Sequence, residues 1–198
     1  MTAPRRKKAE DPDLAFVERF KAGERRAFDE IVRRYQRPIY YLAMRYLKND
    51  ADAADIAQKT FVRAYKAVDS FQGKSAFRTW LYRIAINLSL NHIRDNKRER
   101  ATDISDDALS QSAVGMRRIV EGERSSALRE AIEELPPKQR LVLELRVYDE
   151  LTFKEVAELA SCTENAAKVN FHHAVKRLRS LMADRRDLAK EGAAGGAV

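Results

Sequence analysis

Between Phe77 and Arg94 the chain carries a helical repeat with two apolar faces, and this constrains the fold more than any other feature. Phe77, Leu81, Ile84 and Leu88 recur at the i, i+4, i+7, i+11 spacing of one helix face. Tyr82, Ile86 and Ile93 mark a second face on nearly the opposite side. A helix apolar on two sides has to be packed from two directions. In the loop before it, Gln72 to Ala76, Gly73 permits a tight bend and Ser75 can cap the helix. A narrow polar seam separates the two faces: Arg83, Asn87 and Arg94, with Trp80 at its edge. Rings stack on unpaired bases, amides read base edges and guanidinium groups hold phosphates. On the residues alone, a buried helix with two snorkelling arginines accounts for the same seam.

The rest of the chain reads as all-α. Only seven glycines and five prolines occur in 198 residues, and alternating β-branched runs are lacking. Phe16, Val17 and Phe20 make a first short face, ended by Gly23. Phe28, Ile31, Val32 and Tyr35 make a second, which Pro38 is expected to terminate, and Ile39, Leu42, Ala43, Tyr46 and Leu47 make a third. A formal charge of +8 points to a polyanionic partner, nucleic acid or an acidic membrane surface. The lone Cys162 rules out a disulfide framework and a cysteine-rich zinc site. No apolar run approaches membrane-spanning length and the N-terminus has no apolar signal core, so a cytoplasmic protein without membrane insertion and without cofactors is expected. Met1 to Asp11, with Arg5, Arg6, Lys7 and Lys8, reads as a disordered basic leader.

The segment from Asp52 to Tyr65 is expected to bury Ala57, Phe61 and Ala64, with Val68 continuing the face. Asp52, Asp55, Gln58 and Lys59 share the other side, near the N-terminus, where carboxylates complement the helix dipole. An acidic, amide-bearing face on a basic protein repels DNA and suits docking to another protein. A calcium loop starting at Asp50 fails on spacing, because Asp55 stands where Gly is needed and Phe61 where Glu is needed. After a charged exit, Asp95 to Arg100, large apolar residues become scarce and Asp103, Asp106 and Asp107 appear. The chain therefore divides into two small helical domains, 12–96 and 125–183, joined by a flexible acidic linker, 97–124.

In the second domain Leu128, Ala131, Ile132 and Leu135 form a face that stops at Pro136 and Pro137, and Leu141, Val142, Leu145 and Val147 form the next. Thr152 and Glu155 have capping-box spacing before Phe153, Val156, Ala157 and Leu159. Ala160, Ser161 and Cys162 make a turn, and Ser161 or Thr163 caps a longer helix buried on Ala167, Phe171, Ala174, Leu178 and Leu181. Two capped helices around a short turn, the second basic, are a helix-turn-helix. Its outward face holds Asn165, Ala166, Val169, His172, His173 and Lys176, flanked by Lys168, Asn170, Arg177 and Arg179. Polar groups at the N-terminal end are placed for base edges and basic ones further along for phosphates. His172 and His173 point about 100° apart, which does not suit chelation of one metal. No carboxylate–metal cluster, nucleophile–base pair or phosphate-cradling Gly loop supports an enzyme. A stand-alone helix-turn-helix regulator fits the second domain equally.

The run D-A-A-D-I-A-Q-K-T-F-V-R-A-Y, followed by F-Q-G-K-S-A-F-R-T-W-L-Y-R-I-A-I-N, resembles extracytoplasmic-function (ECF) sigma factors of the sigma-70 family. So does L-P-P-K-Q-R-L-V-L-E-L-R followed by L-T-F-K-E-V-A-E-L-A and the basic helix. The likeness runs from Leu14 to about Met182 in the family's order of parts. It implies a transcription initiation factor that binds core RNA polymerase and directs it to promoters. Asp52, Asp55, Gln58 and Lys59 would dock on the β′ clamp coiled coil. Gly73, Lys74, Ser75, Phe77, Arg78, Trp80, Arg83 and Asn87 would melt the −10 element and hold an extruded non-template base. The helix-turn-helix would read duplex −35 DNA while touching the β flap, and the acidic linker would thread the active-site cleft and the RNA exit channel. An anti-sigma factor is a further implied partner. The recognition helix departs from the family: E-N-A-A-K-V-N-F-H-H-A stands where Gly-Thr-Val-Lys-Ser-Arg is frequent, and Ala160-Ser161 where Leu-Gly is common. The −35 preference of relatives is therefore not transferable.

Overall fold

The structure, a computed structural model, describes residues 11–102 and 123–194, with side chains described within 11–98 and 127–185. Every regular element among them is helical: α1 (Leu14–Lys21), α2 (Ala27–Leu47), α3 (Asp50–Ala67), a 3-10 turn (Val68–Ser70), α4 (Phe77–Thr102), α5 (Glu123–Glu133), α6 (Pro137–Val147), α7 (Phe153–Leu159) and α8 (Glu164–Ala194). The chain divides into two compact units between Ala113 and Val114. The basic leader up to Glu10 and most of the acidic linker, 103–122, lie outside the described residues.

In the first unit α4 packs against both α2 and α3, as its two apolar faces require. Phe77, Leu81, Tyr82, Ala85 and Ile86 are buried, whereas Arg83, Asn87, Leu90 and Arg94 line an exposed stripe. Buried hydroxyls on these helices bond within them: Ser89 donates to the Ala85 carbonyl at 2.9 Å and Thr60 to the Ile56 carbonyl at 2.7 Å. The buried arc of α3 is wider than expected, because two helices cover it. Ala53, Ile56 and Thr60 are sealed in alongside Ala57 and Ala64, while Phe61 is only half-buried.

Pro38 does not end a helix; α2 runs straight through it. An interior proline costs roughly 3 kcal/mol through its missing N–H and its clash with the carbonyl four residues back. The buried face of α2 continues past it without a break, however, with Ile31, Ile39 and Leu42 each no more than 1% exposed. Burying a side chain of that size stabilises by about 1.5–3 kcal/mol, so the continuous face outweighs the proline. At its far end α4 likewise carries on through the charged exit to Thr102, into the stretch read as linker. At its near end, the first amide of α4 is not capped by Ser75: the Phe77 N–H donates to the Asp11 carboxylate at 2.6 Å.

In the second unit α8 packs against α5, α6 and α7. Pro137 opens α6, where its missing N–H costs nothing. Val142, Leu143 and Leu145 are buried, but Val147, on the last turn, is 53% exposed, and Leu128, a turn ahead of the buried Ala131 and Ile132, is 41% exposed. The capping box of Thr152 and Glu155 is complete in both directions. Ser161 takes the left-handed turn position at φ 49°, and the Thr163 hydroxyl accepts from the Ala166 N–H at 3.1 Å to start α8. Arg185 ties α8 back to α5 through Glu130 at 3.4 Å and the Ala127 carbonyl, and to Glu134 just past its end at 2.5 Å.

Candidate docking and nucleic-acid interfaces

Asn49 starts α3 by accepting the Asp52 N–H at 3.0 Å, which presents the carboxylates of the first two turns outward. Those carboxylates are already engaged. Asp50 accepts the Tyr40 hydroxyl, a bond that holds the phenol above its usual pKa. Asp52 lies 3.4 Å from His92 Nε2 on α4, and Asp55 pairs with Lys59 at 2.6 Å along the helix. Each of these carboxylates therefore already has a partner within the unit. Asp55, Gln58 and Lys59 border a shallow depression shared with Val62, Arg63, Lys66 and Leu88 of α4. Asp52 sits outside it, a turn nearer the N-terminus. Val62, 48% exposed, lines the middle of this face and was passed over in the sequence reading. Its position seven residues after Asp55, on the same stripe, is the signal that finds it.

The loop before α4 is held at both ends. Phe71 closes the preceding 3-10 turn, its N–H donating to the Val68 carbonyl at 3.0 Å, and its own carbonyl accepts Lys21 Nζ at 2.7 Å. Gln72, Gly73 and Lys74 are exposed between these anchors, with Gly73 at φ 67°, and Ser75 is half-buried. Phe77 is wholly buried, which removes it from the residues able to touch a nucleic acid. It instead forms an aromatic floor with Phe71 and Trp80, all ring centroids 5.3–5.4 Å apart. Arg78 and Trp80 are half-buried, and Arg83 and Asn87 are exposed on the α4 stripe. The structure thus brings a half-open indole, the loop and the polar stripe to one end of α4. Leu90, 49% exposed, lies on the same stripe about one turn beyond Asn87.

On α8, Asn165, Lys168, Val169, His172, His173, Lys176, Arg177 and Arg179 are exposed, and Ala166 and Asn170 are half-buried. Asn170 Nδ2 donates to the Ala166 carbonyl at 2.8 Å, so one of its amide donors is spent on the helix. Lys168 pairs with Glu164 at 2.7 Å one turn back. His172 and His173 splay apart, their ring centroids 6.4 Å from each other. Phe171 and Val175 supply an apolar floor beside His172, Lys176 and Arg179. Among the described residues there is no group of three acidic, histidine or cysteine side chains able to hold a metal, and no helix long and apolar enough to cross a membrane.

Two family models match the chain: sigma-70 region 2 over residues 31–99 and sigma-70 region 4 over 125–178. Between them they cover the α4 stripe and the helix-turn-helix. The chain is also 34% identical over 183 residues to the ECF RNA polymerase sigma factor SigW of Bacillus subtilis, spanning 85% of this chain and 95% of that protein. This chain belongs to the ECF sigma factors of the sigma-70 family. The ECF RNA polymerase sigma-E factor of Escherichia coli K12 is 36% identical over 162 residues, 76% of this sigma factor and 83% of that one. In fold, the sigma factor is similar to CnrH as solved in complex with the cytosolic domain of CnrY, with a TM-score of 0.66 at 22% identity over 87% of this chain and 97% of that one. Sigma factors are transcription initiation factors, not enzymes.

Proposed function

We propose that this sigma factor, an alternative sigma that binds core RNA polymerase and directs it to promoters, divides the work between its two units. Residues 12–96 act as the region 2-like domain, with Asp11 immediately ahead of it. Residues 125–183 act as the region 4-like domain, and 97–124 connect them. The α3 face of Asp55, Gln58, Lys59 and Val62 docks on the β′ clamp coiled coil, with Asp52 at its edge. The loop residues Gly73, Lys74 and Ser75, with Arg78, Trp80, Arg83 and Asn87, open the −10 element and hold one extruded base of the non-template strand. Extrusion costs roughly a few kcal/mol of unstacking, which a stacking surface and amide contacts offset. Asn165, Ala166, Lys168, Val169, His172, His173, Lys176, Arg177 and Arg179 face duplex −35 DNA, and the same unit meets the β flap. The protein works in the cytoplasm alongside the polymerase, and an anti-sigma factor is its expected antagonist.

One observation carries this reading. The indole of Trp80, the exposed Arg83 and Asn87 and the glycine loop converge at one end of α4, inside the region 2 match. The test is promoter opening by purified core polymerase with the sigma factor, followed by permanganate reactivity of melted thymines, beside a polymerase pull-down. Asn87→Ala is expected to lower opening about tenfold with docking intact, the loss of one base-contacting group worth ~1.4 kcal/mol. Asp55→Arg is expected to abolish docking. Identical defects in the two variants, or no binding of core polymerase by the parent protein, would sink the assignment. A stand-alone regulator predicts specific operator binding without polymerase, and neither the two-region match nor the α3 face favours it.

A further inference from the structure

The first residue described, Asp11, read in the sequence as the end of a basic leader, sits at the structural root of the −10 loop. One carboxylate oxygen accepts the Phe77 N–H at 2.6 Å, and the other accepts the Asp13 N–H at 3.0 Å. Two residues on, Asp13 is 1% exposed and accepts hydrogen bonds from both Arg34 and Tyr35 of α2. Its backbone carbonyl receives the Phe16 and Val17 N–H groups, each at 3.1 Å, so Asp13 also starts α1. The other end of α1 bears Lys21, whose ammonium holds the Phe71 carbonyl at 2.7 Å. The chain around α1 thus grips both stems of the loop, Phe71 on one side and Phe77 on the other, and fixes that grip to α2.

From this we infer that the Asp11–Lys21 segment is a positioning element for the −10 loop: Asp11 and Lys21 fix where the loop begins and ends, so that the residues between are preorganised to receive the extruded base. The inference rests on the proposed role of that loop. Its physical basis is that a charged acceptor on the first amide of α4 satisfies an otherwise unpaired helix donor and favours the positive end of the helix dipole. With both stems fixed, the loop loses less conformational freedom when the base binds, which raises affinity without a new contact. Neither side chain has to touch DNA.

The experiment uses the full chain with core polymerase and follows three readouts: polymerase affinity, the rate of promoter opening by permanganate reactivity, and thermal melting of the free protein. Asp11→Ala is expected to slow opening about five- to tenfold while polymerase affinity stays within about twofold. Asp11→Asn, which keeps an acceptor but not the charge, is expected to recover part of that loss. Lys21→Met, at the opposite stem, is expected to slow opening in the same way, and it serves as the independent variant should Asp11→Ala fold poorly. Opening at the parental rate in both Asp11→Ala and Lys21→Met overturns the inference, as does a loss of opening that Asn fails to mend and that tracks melting temperature alone. Asn87→Ala is run in parallel. If it too opens promoters normally, the role of the loop is at fault; if it alone is defective, the positioning role is at fault.

Discussion

Tyr35 shows how a single buried residue in this sigma factor ties stability to pH. Its ring is 7% exposed and its hydroxyl donates to the buried Asp13 carboxylate. Burial first, and that bond to Asp13 second, raise the phenol's pKa well above its ordinary value. A raised pKa means that the fold favours the neutral phenol. The stabilisation is complete below the unfolded tyrosine value of about 10 and is lost as pH climbs beyond it towards the folded value. At neutral pH, Tyr35→Phe leaves Asp13 one donor short and is expected to cost about 1–2 kcal/mol in urea unfolding. The gap between parent and variant should narrow once pH passes about 10, because only the parent then pays for holding the proton. A gap of constant size across that range would show that the fold does not hold the phenol's pKa above its ordinary value. The hub that Asp13 forms was not legible in the sequence. Its partners Arg34 and Tyr35 lie 21 and 22 residues away, and no local pattern encodes such a pairing.

At the scale of elements, the helix-turn-helix was legible because its signals are local. The Thr152–Glu155 box, the Thr163 cap and the apolar spacing of α8 each lie within a few residues and reappear in the structure. The two-sided packing of α4 was legible for the same reason. What escaped was set at longer range: the continuity of α2 across Pro38, the Asp11 cap of α4, and the engagement of Asp52 by His92 from a neighbouring helix. Burial of Phe77 was half-legible, since the residue was placed on the apolar face yet also counted among the DNA contacts. The turn itself yields a prediction. Ser161 adopts a left-handed backbone, which costs a non-glycine residue roughly 1–2 kcal/mol, and its neighbours need only the turn geometry. Ser161→Gly relieves that strain against a higher unfolded-state entropy, and a net stabilisation of about 0.5–1 kcal/mol is expected in denaturant unfolding. Thr152→Ala, which breaks the capping box on the other side of α7, is expected to cost about 1 kcal/mol. If Ser161→Gly were neutral or destabilising, the side chain would have to hold the turn in a way its geometry does not account for.

For the whole molecule, the formal charge of +8 and the specific contacts make different demands on promoter binding. Attraction between basic side chains and phosphates is long-ranged, indifferent to sequence and weakened by salt, while base-edge contacts are short-ranged and carry sequence preference. On α8 the groups proposed to make the two kinds of contact are spatially ordered, with Asn165 near the N-terminus and Lys176 and Arg177 three turns further along. Replacing Lys176 and Arg177 together by Ala should therefore weaken binding of the polymerase holoenzyme to a −35 duplex by a similar factor on matched and mismatched sequences. It should also lower the slope of log affinity against log salt by about 2, close to 0.9 for each phosphate contact removed. Asn165→Ala should leave that slope unchanged and instead narrow the difference between matched and mismatched duplexes, by roughly 1 kcal/mol for one lost base contact. Fluorescence anisotropy of labelled duplexes across a salt series measures both quantities at once. Should the double variant change preference and the Asn165 variant change slope, α8 would have to lie reversed in the groove, with its basic end over the bases.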